Sequence, residues 1–263
     1  MLFALLFVFI TPALHAQPKQ YFWENGNPKS EGETDAEGKL HGAWTFFYES
    51  GVKKSSGFYI HGKADSLWYF WDINGKLGSR GYYKDDELDS TWLFFEPDGR
   101  LWKMCQYKHN LFHGTYVEWW NDSTMRTSGS YRYGLKHGAW INWYKSCAAK
   151  SVEHYIAGKQ NGEYTLWYEN GVTETKGMVL NDKAEGVWEF RDTENRLVTT
   201  GTYKTGIWHG HWTTWQTNGK KNAEGNYDMN KKTGRWRYWN EEGKLKKLEI
   251  YKQEKLFKEI SYE

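Results

Sequence analysis

Cysteine is scarce in this chain: Cys105 and Cys147 are the only two in 263 residues, too few for a disulfide framework. Charge of a dominant sign is missing as well. With 35 basic residues against 33 acidic, no strong electrostatic footprint for nucleic acid is present, and no nucleic-acid partner is expected. The signatures of catalysis are also missing. There is no G-x-S-x-G elbow, no phosphate loop, no Cys-x-x-Cys and no H-E-x-x-H pattern, so neither an enzyme nor a cofactor is expected. One apolar run stands at the start, where Met1 to Leu14 carry no charge and His15-Ala16-Gln17 follows. It is too short to span a bilayer as a stable helix. It reads as an export signal, residues 1–16, removed after Ala16, which would send the mature chain to the periplasm, the cell envelope or the exterior. No cysteine sits at the cut, which speaks against a lipid anchor.

What is abundant is aromatic rings, and they are periodic. Trp44, Trp68, Trp92, Tyr116, Trp140, Tyr164, Trp188, Trp212 and Trp236 recur every 24 positions without insertion or deletion. A fixed period of this length marks a repeat architecture, in which each copy buries its apolar face only by stacking on its neighbours. Counted from each anchor, position +7 holds Gly51, Gly75, Gly99, Ser123, Cys147, Gly171, Asn195, Gly219 or Gly243. Position +18 holds Gly62, Asp86, Asn110, Gly134, Gly158, Asp182, Gly206, Asn230 or Glu254. Gly, Asn and Asp accept positive φ at low cost, so each copy contains two tight turns and therefore two strands. Asn74-Gly75, Asp98-Gly99, Asn170-Gly171 and Asn218-Gly219 are strong hairpin signals.

The segments between turns alternate with period 2. A small residue precedes each anchor by two (Gly42, Ser66, Gly138, Gly210), and Gly at +13 precedes Tyr at +15, as in Gly57-Phe58-Tyr59 and Gly201-Thr202-Tyr203. Each such glycine is expected to be a bare shelf for a ring of its own or an adjoining strand, with Gly162→Val destabilising. The fold class is all-β: an elongated repeat of stacked β-hairpins, a single-layer antiparallel meander, twisted and curved, with about nine 24-residue units. The expected layout is a cap with a partial repeat over 17–40, nine repeats over 41–256, and a capping strand over 257–263. Lys and Glu crowd the last strand (Lys252, Glu254, Lys255, Lys258, Glu259), which suits an edge that resists further strand addition. Cys105 and Cys147 lie in different registers two units apart, so both are expected to be unpaired thiols.

Tyr203-Lys204-Thr205-Gly206-Ile207-Trp208-His209-Gly210-His211-Trp212 and Tyr131-Arg132-Tyr133-Gly134-Leu135-Lys136-His137-Gly138-Ala139-Trp140 resemble the aromatic-x-x-Gly-x-x-His-Gly core of MORN repeats. The likeness is closer to the bacterial variant class, where an aromatic follows the His-Gly pair, and it covers roughly residues 21 to 262. The resemblance implies a scaffold, a dimerisation surface or a membrane contact; some bacterial members are labelled antitoxin-like. Here His is replaced by Asp65, Asp89, Asn161, Glu185 and Thr233, and the strand Gly by Cys105, Glu153 and Glu249.

Candidate chemistry is thin. His41, His113, His137 and His209 all stand three before their anchors, a spacing that suits turn-flanking structure better than metal ligation, and Asp85-Asp86-Glu87-Leu88-Asp89 reads as a turn rather than a calcium loop. No metal is expected. The candidate binding residues are Phe47, Trp71, Phe95, Trp119, Trp143, Trp167, Trp215 and Trp239, all at +3, projecting opposite to the anchors unless a bulge intervenes. Arg191 interrupts that row. The bland reading is packing against long side chains of the next strand; the sharp one is a ladder of exposed rings along a groove. The leading function is a non-enzymatic scaffold that binds a protein partner in the bacterial cell envelope. The alternatives are a carbohydrate or peptidoglycan binder using the Trp row, and an antitoxin-like or immunity protein.

Overall fold

The computed structural model describes residues 18–262; the expected export signal lies outside them. Every regular element among the described residues is a β-strand, 22 in number. Eighteen were expected for nine repeats. The others are two strands of the N-terminal cap, Lys19–Phe22 and Pro28–Thr34, a closing strand Lys255–Ser261, and a first strand cut in two, Lys159–Gln160 and Gly162–Trp167. The cut falls where Gly162 takes φ +130°.

The chain divides into two compact units. One comprises residues up to Ser90 with Pro97–Gly99, the other Thr91–Glu96 with Arg100 onward. Within each, strands pair antiparallel with their chain neighbours: Leu40–Phe47 with Lys53–Ile60 in the first, for example, and Ile207–Trp215 with Lys221–Asp228 in the second. That is the meander the two turns per repeat demanded.

Both turn registers are left-handed throughout. Every residue at +7 and at +18 has positive φ, including non-glycines such as Ser123 (68°), Cys147 (68°), Asp86 (72°) and Glu254 (68°). Position +17 is left-handed too, at His61, Tyr133, Ala157, Met229 and Gln253 among others. Two consecutive αL residues make a type I′ turn, whose twist matches that of the flanking strands.

The two glycine registers do different jobs. At +13 the shelf is real, and it serves the anchor of the following repeat. A Cβ on Gly57 would lie 2.1 Å from Cδ2 of Trp68, on Gly129 2.3 Å from that of Trp140, and on Gly201 2.2 Å from that of Trp212. Each indole then donates its N–H to the next carbonyl along: Trp68 to Phe58 at 3.3 Å, Trp140 to Ser130 at 3.1 Å, Trp212 to Thr202 at 3.1 Å, Trp236 to Asn226 at 3.0 Å. Trp188 is the exception, with its Nε1 buried and unpartnered. The seven anchor tryptophans are only 2–8% exposed and form the core of each unit.

Two residues before the anchor, the glycine is required for another reason, which corrects the shelf expectation there. All nine residues at this position have positive φ, from Ser90 at 54° to Gly162 at 130°. They sit in a bulge: Gly201 pairs with Trp212 and Tyr203 with Trp208, so three residues of one strand face one of its neighbour. The nearest atoms to a Cβ on Gly162 belong to His154 (Cβ at 2.9 Å), and Gly186 and Gly234 meet nothing within 4 Å.

Candidate functional site

Strand alternation puts positions 0, +2 and +15 of every repeat on one face, and their rings interlock. Around Trp212 the ring centroids of Tyr203, Trp208 and Tyr227 lie at 5.3, 4.9 and 5.8 Å; around Trp68 those of Tyr59, Phe70 and Tyr83 lie at 5.1, 6.0 and 5.9 Å. The cup between an anchor Trp and its own Tyr at +15 is closed or left open by the residue four before the anchor. In the Trp212 repeat Trp208 fills it, 4.9 Å from Trp212 and 5.0 Å from Tyr227. In the Trp140 repeat Lys136 fills it, its Nζ 4.2 Å from the Trp140 ring and 4.8 Å from Tyr155. Lys232 does the same over Trp236, Tyr238 and Tyr251 at 4.9, 5.3 and 5.6 Å. These are cation–π geometries.

Cavities open on this face in both units. In the first unit one of about 430 Å³ is bounded by Phe46, Tyr59, Ala64, Trp68, Tyr83 and Asp86, among others. In the second, one of about 470 Å³ lies among Phe190, Tyr203, Trp208, Trp212, Tyr227 and Trp236, with Thr199 and Thr214 supplying hydroxyls. Trp208 is 40% exposed, the most accessible ring of that group. Burial pushes the Tyr59 and Tyr83 hydroxyls above their ordinary pKa, with the Asp86 charge adding to it. Both therefore stay protonated, as hydrogen-bonding groups.

The row at +3 lies elsewhere. Phe47, Trp71, Phe95, Trp119, Trp143, Trp167, Trp215 and Trp239 are all half-buried. Pairing slips by one residue immediately before several of them, as between Phe46 and Phe47 or Thr214 and Trp215. Lysine ammonium groups from adjoining strands lie over two of the rings, Lys53 over Trp71 at 5.8 Å and Lys221 over Trp239 at 5.7 Å. Phe47 borders the cavity of the first unit described above, and Trp143 and Trp239 each border a shallow hollow. Their backbone carbonyls tie repeats together: the hydroxyl of Tyr48 donates to Trp71 O and that of Tyr144 to Trp167 O, both at 2.8 Å.

The histidine register has a structural task. Nδ1 of His113 accepts the backbone N–H of Tyr133 in the left-handed turn at 3.4 Å, and Glu185 does the same for Thr205 at 2.7 Å, so an acceptor is what the position needs. At +18 the carboxylate of Asp86 accepts the N–H of Ala64 at 2.6 Å, which makes the acidic loop a turn. Among the described residues one group gathers three possible metal ligands: Asp35 in the loop of the N-terminal cap, His41 in strand Leu40–Phe47 and His61 in the turn after strand Lys53–Ile60. Its atoms are engaged internally: Asp35 Oδ1 accepts the N–H of Glu37 and Lys39, and Oδ2 meets His61 Nδ1 at 2.8 Å. Cys105 is buried and Cys147 exposed, and both are free thiols. Burial pushes the Cys105 thiol up, away from the reactive thiolate.

No helix among the described residues is long and apolar enough to cross a membrane. No curated protein matches the chain. Solved structures similar to it include the Photorhabdus luminescens Tc holotoxin pore with a TccC3 mutation, at 11% identity over 89% of this chain and 15% of that chain (TM-score 0.22). The TcdB2-TccC3 complex is similar at 10% identity over 89% and 17% (TM-score 0.22). The chain thus spans less than a fifth of the length of those proteins, and likenesses this faint carry no argument. A family model does match: that of the MORN repeat variant, over residues 40–61, 208–229 and 232–253. MORN repeats are in general non-catalytic, and no enzyme family matches. The three matched segments each run from the residue four before an anchor to the left-handed turn beyond its +15 tyrosine, so the hairpins at these three places match the MORN repeat variant, and the same 24-residue unit recurs between them.

Proposed function

We propose that the chain is a non-enzymatic repeat scaffold of the cell envelope that binds a protein partner on the anchor face of its second unit. The observation that carries this reading is the cavity at Trp208. It exposes one large amphipathic ring beside Tyr203, Tyr227 and two threonines, on a frame immobilised by buried tryptophans. Tyr and Trp anchors seated in well-packed pockets are what dominates binding energy at protein interfaces. Support for the envelope is the uncharged apolar start of the sequence. The row at +3 contributes as a supporting surface where it borders the hollows at Trp143 and Trp239.

The test is cross-linked capture of the mature chain from envelope fractions, compared with Trp208→Gln. Gln160 stands at the same position in the Tyr164 repeat, so the variant keeps the hairpin. One near-stoichiometric protein lost in the variant is the expected result; equal capture by both forms, or none, contradicts it. A second reading, binding of a glycan or peptidoglycan, is favoured by the pairing of Trp faces with the Thr199 and Thr214 hydroxyls in the same cavity. Co-sedimentation with peptidoglycan that Trp208→Gln abolishes would decide for it.

A further inference from the structure

The repeats show what their aromatic cup accepts, because two of them fill it from within. In the Trp140 and Trp236 copies the occupant is a primary ammonium on an alkyl stem, Lys136 or Lys232. The three rings under the Lys232 ammonium, Trp236, Tyr238 and Tyr251, correspond position for position to Trp68, Phe70 and Tyr83, each 168 residues earlier. All three line the cavity of about 430 Å³ in the first unit, and the residue in the place of Lys232 is Ala64. The rings of an ammonium receptor are present there, and the side chain that would fill it is cut back to a methyl group.

We propose that this cavity is a binding site for an alkylammonium ion supplied from solution, which takes the place that Lys136 and Lys232 occupy in their own repeats. Tyr59 adds a further ring, 5.1 Å from Trp68 and perpendicular to it. Asp86 adds a carboxylate at the cavity wall, anchored by the N–H of Ala64. Its charge is felt at the hydroxyls of both Tyr59 and Tyr83. A cation desolvated between ring faces and a carboxylate is held by both. Lys29 and Lys54 border the far end of the cavity, where their ammonium groups lie over Trp23 and Tyr48 at 4.8 and 5.7 Å and direct the ligand's charge towards Asp86. Ala184 opens a comparable hollow, but its walls carry only Tyr164 and Trp188 as rings, so the first unit holds the better site. This site is independent of the protein-binding face proposed above and stands or falls separately from it.

The experiment is calorimetric titration of the full mature chain with n-butylammonium, with n-butanol as the uncharged control. One equivalent is expected to bind, with millimolar affinity, and butanol is expected at least about tenfold weaker. Ala64→Lys supplies the internal cation that two sister repeats already carry, so the hairpin is retained and butylammonium binding should be lost. Lys232→Ala should do the opposite and add a second equivalent beside Glu249, which lies 3.3 Å from the Lys232 ammonium. Equal response to butanol, no saturable binding of the ammonium, or undiminished binding by a folded Ala64→Lys chain would each overturn the proposal. Should Ala64→Lys fail to fold, a stoichiometry unchanged in Lys232→Ala does so.

Discussion

Five repeat junctions set a tryptophan on a glycine, and two match a tyrosine with something larger. Where the shelf is Gly57, Gly129, Gly177, Gly201 or Gly225, the ring that follows is Trp68, Trp140, Trp188, Trp212 or Trp236; Gly81 and Trp92 stand at the same spacing. Where the shelf position is Cys105 or Glu153, the ring eleven residues on is Tyr116 or Tyr164. Shelf and ring are one unit of specification. An indole lies flat only on bare backbone, and a side chain at the shelf is accompanied by the smaller phenol ring. The larger shelf residues also acquire partners: Glu153 accepts the Tyr155 hydroxyl at 2.5 Å, and Cys105 is fully buried.

The largest effect should come from putting a side chain under an indole. Gly201→Val cannot be accommodated without moving Trp212, and a loss of about 3 kcal/mol or more is expected in denaturant unfolding. Gly210→Ala, at the bulge of the same repeat, meets only Thr202 at 3.5 Å; it should cost only the strain of its φ of 71°, about 1 kcal/mol. If the two cost the same, the division of labour between the glycine registers is wrong.

The Glu249 shelf gives an intermediate effect that depends on pH. Burial alone would raise its pKa. The Lys247 hydrogen bond, those of Tyr238 and Tyr251 and the Lys232 charge outweigh burial and bring it down to about 2 from 4.5. A depressed carboxylate stabilises fully above its unfolded value and loses that contribution as pH falls through the window from 4.5 to about 2. Thermal unfolding of the C-terminal repeats should therefore fall more steeply across that window in the native chain than in Glu249→Gln, which starts lower at neutral pH. Parallel curves would count against the cluster. The smallest effect is expected for Tyr144→Phe, which removes one hydrogen bond between repeats and should cost about 0.5 kcal/mol.

Much of the fold was legible because its hardest constraints fall on residues with distinctive chemistry. Gly, Asn and Asp at +7 and +18 announced the turns, and their even spacing gave the strands. The left-handed positions at +17 were hidden, since Tyr133, Ala157 and Met229 have no preference for that region and are held there by the turn. Ser66 and Ser90, left-handed two before their anchors, looked like members of an alternating face. The coupling of Cys105 to Tyr116 and Glu153 to Tyr164 was open to reading, but only by comparing positions eleven apart. The candidate site was less legible. The Trp row at +3 drew attention by its abundance, yet those rings are half-buried. The position that differentiates the repeats is four before the anchor, where Ala64, Lys136, Gln160 and Trp208 share no consensus. Its variety acquires meaning once the anchor and Tyr rings are seen to form a cup around it.

The most direct test of the shelf-and-ring account is a double-mutant cycle that transplants the natural Cys105–Tyr116 pair onto Gly201 and Trp212. Gly201→Cys and Trp212→Tyr should each destabilise alone, and the double variant should recover more than about 1 kcal/mol of their sum. Additivity within about 0.5 kcal/mol would contradict it, leaving the glycine and the tryptophan as independent features of the repeat.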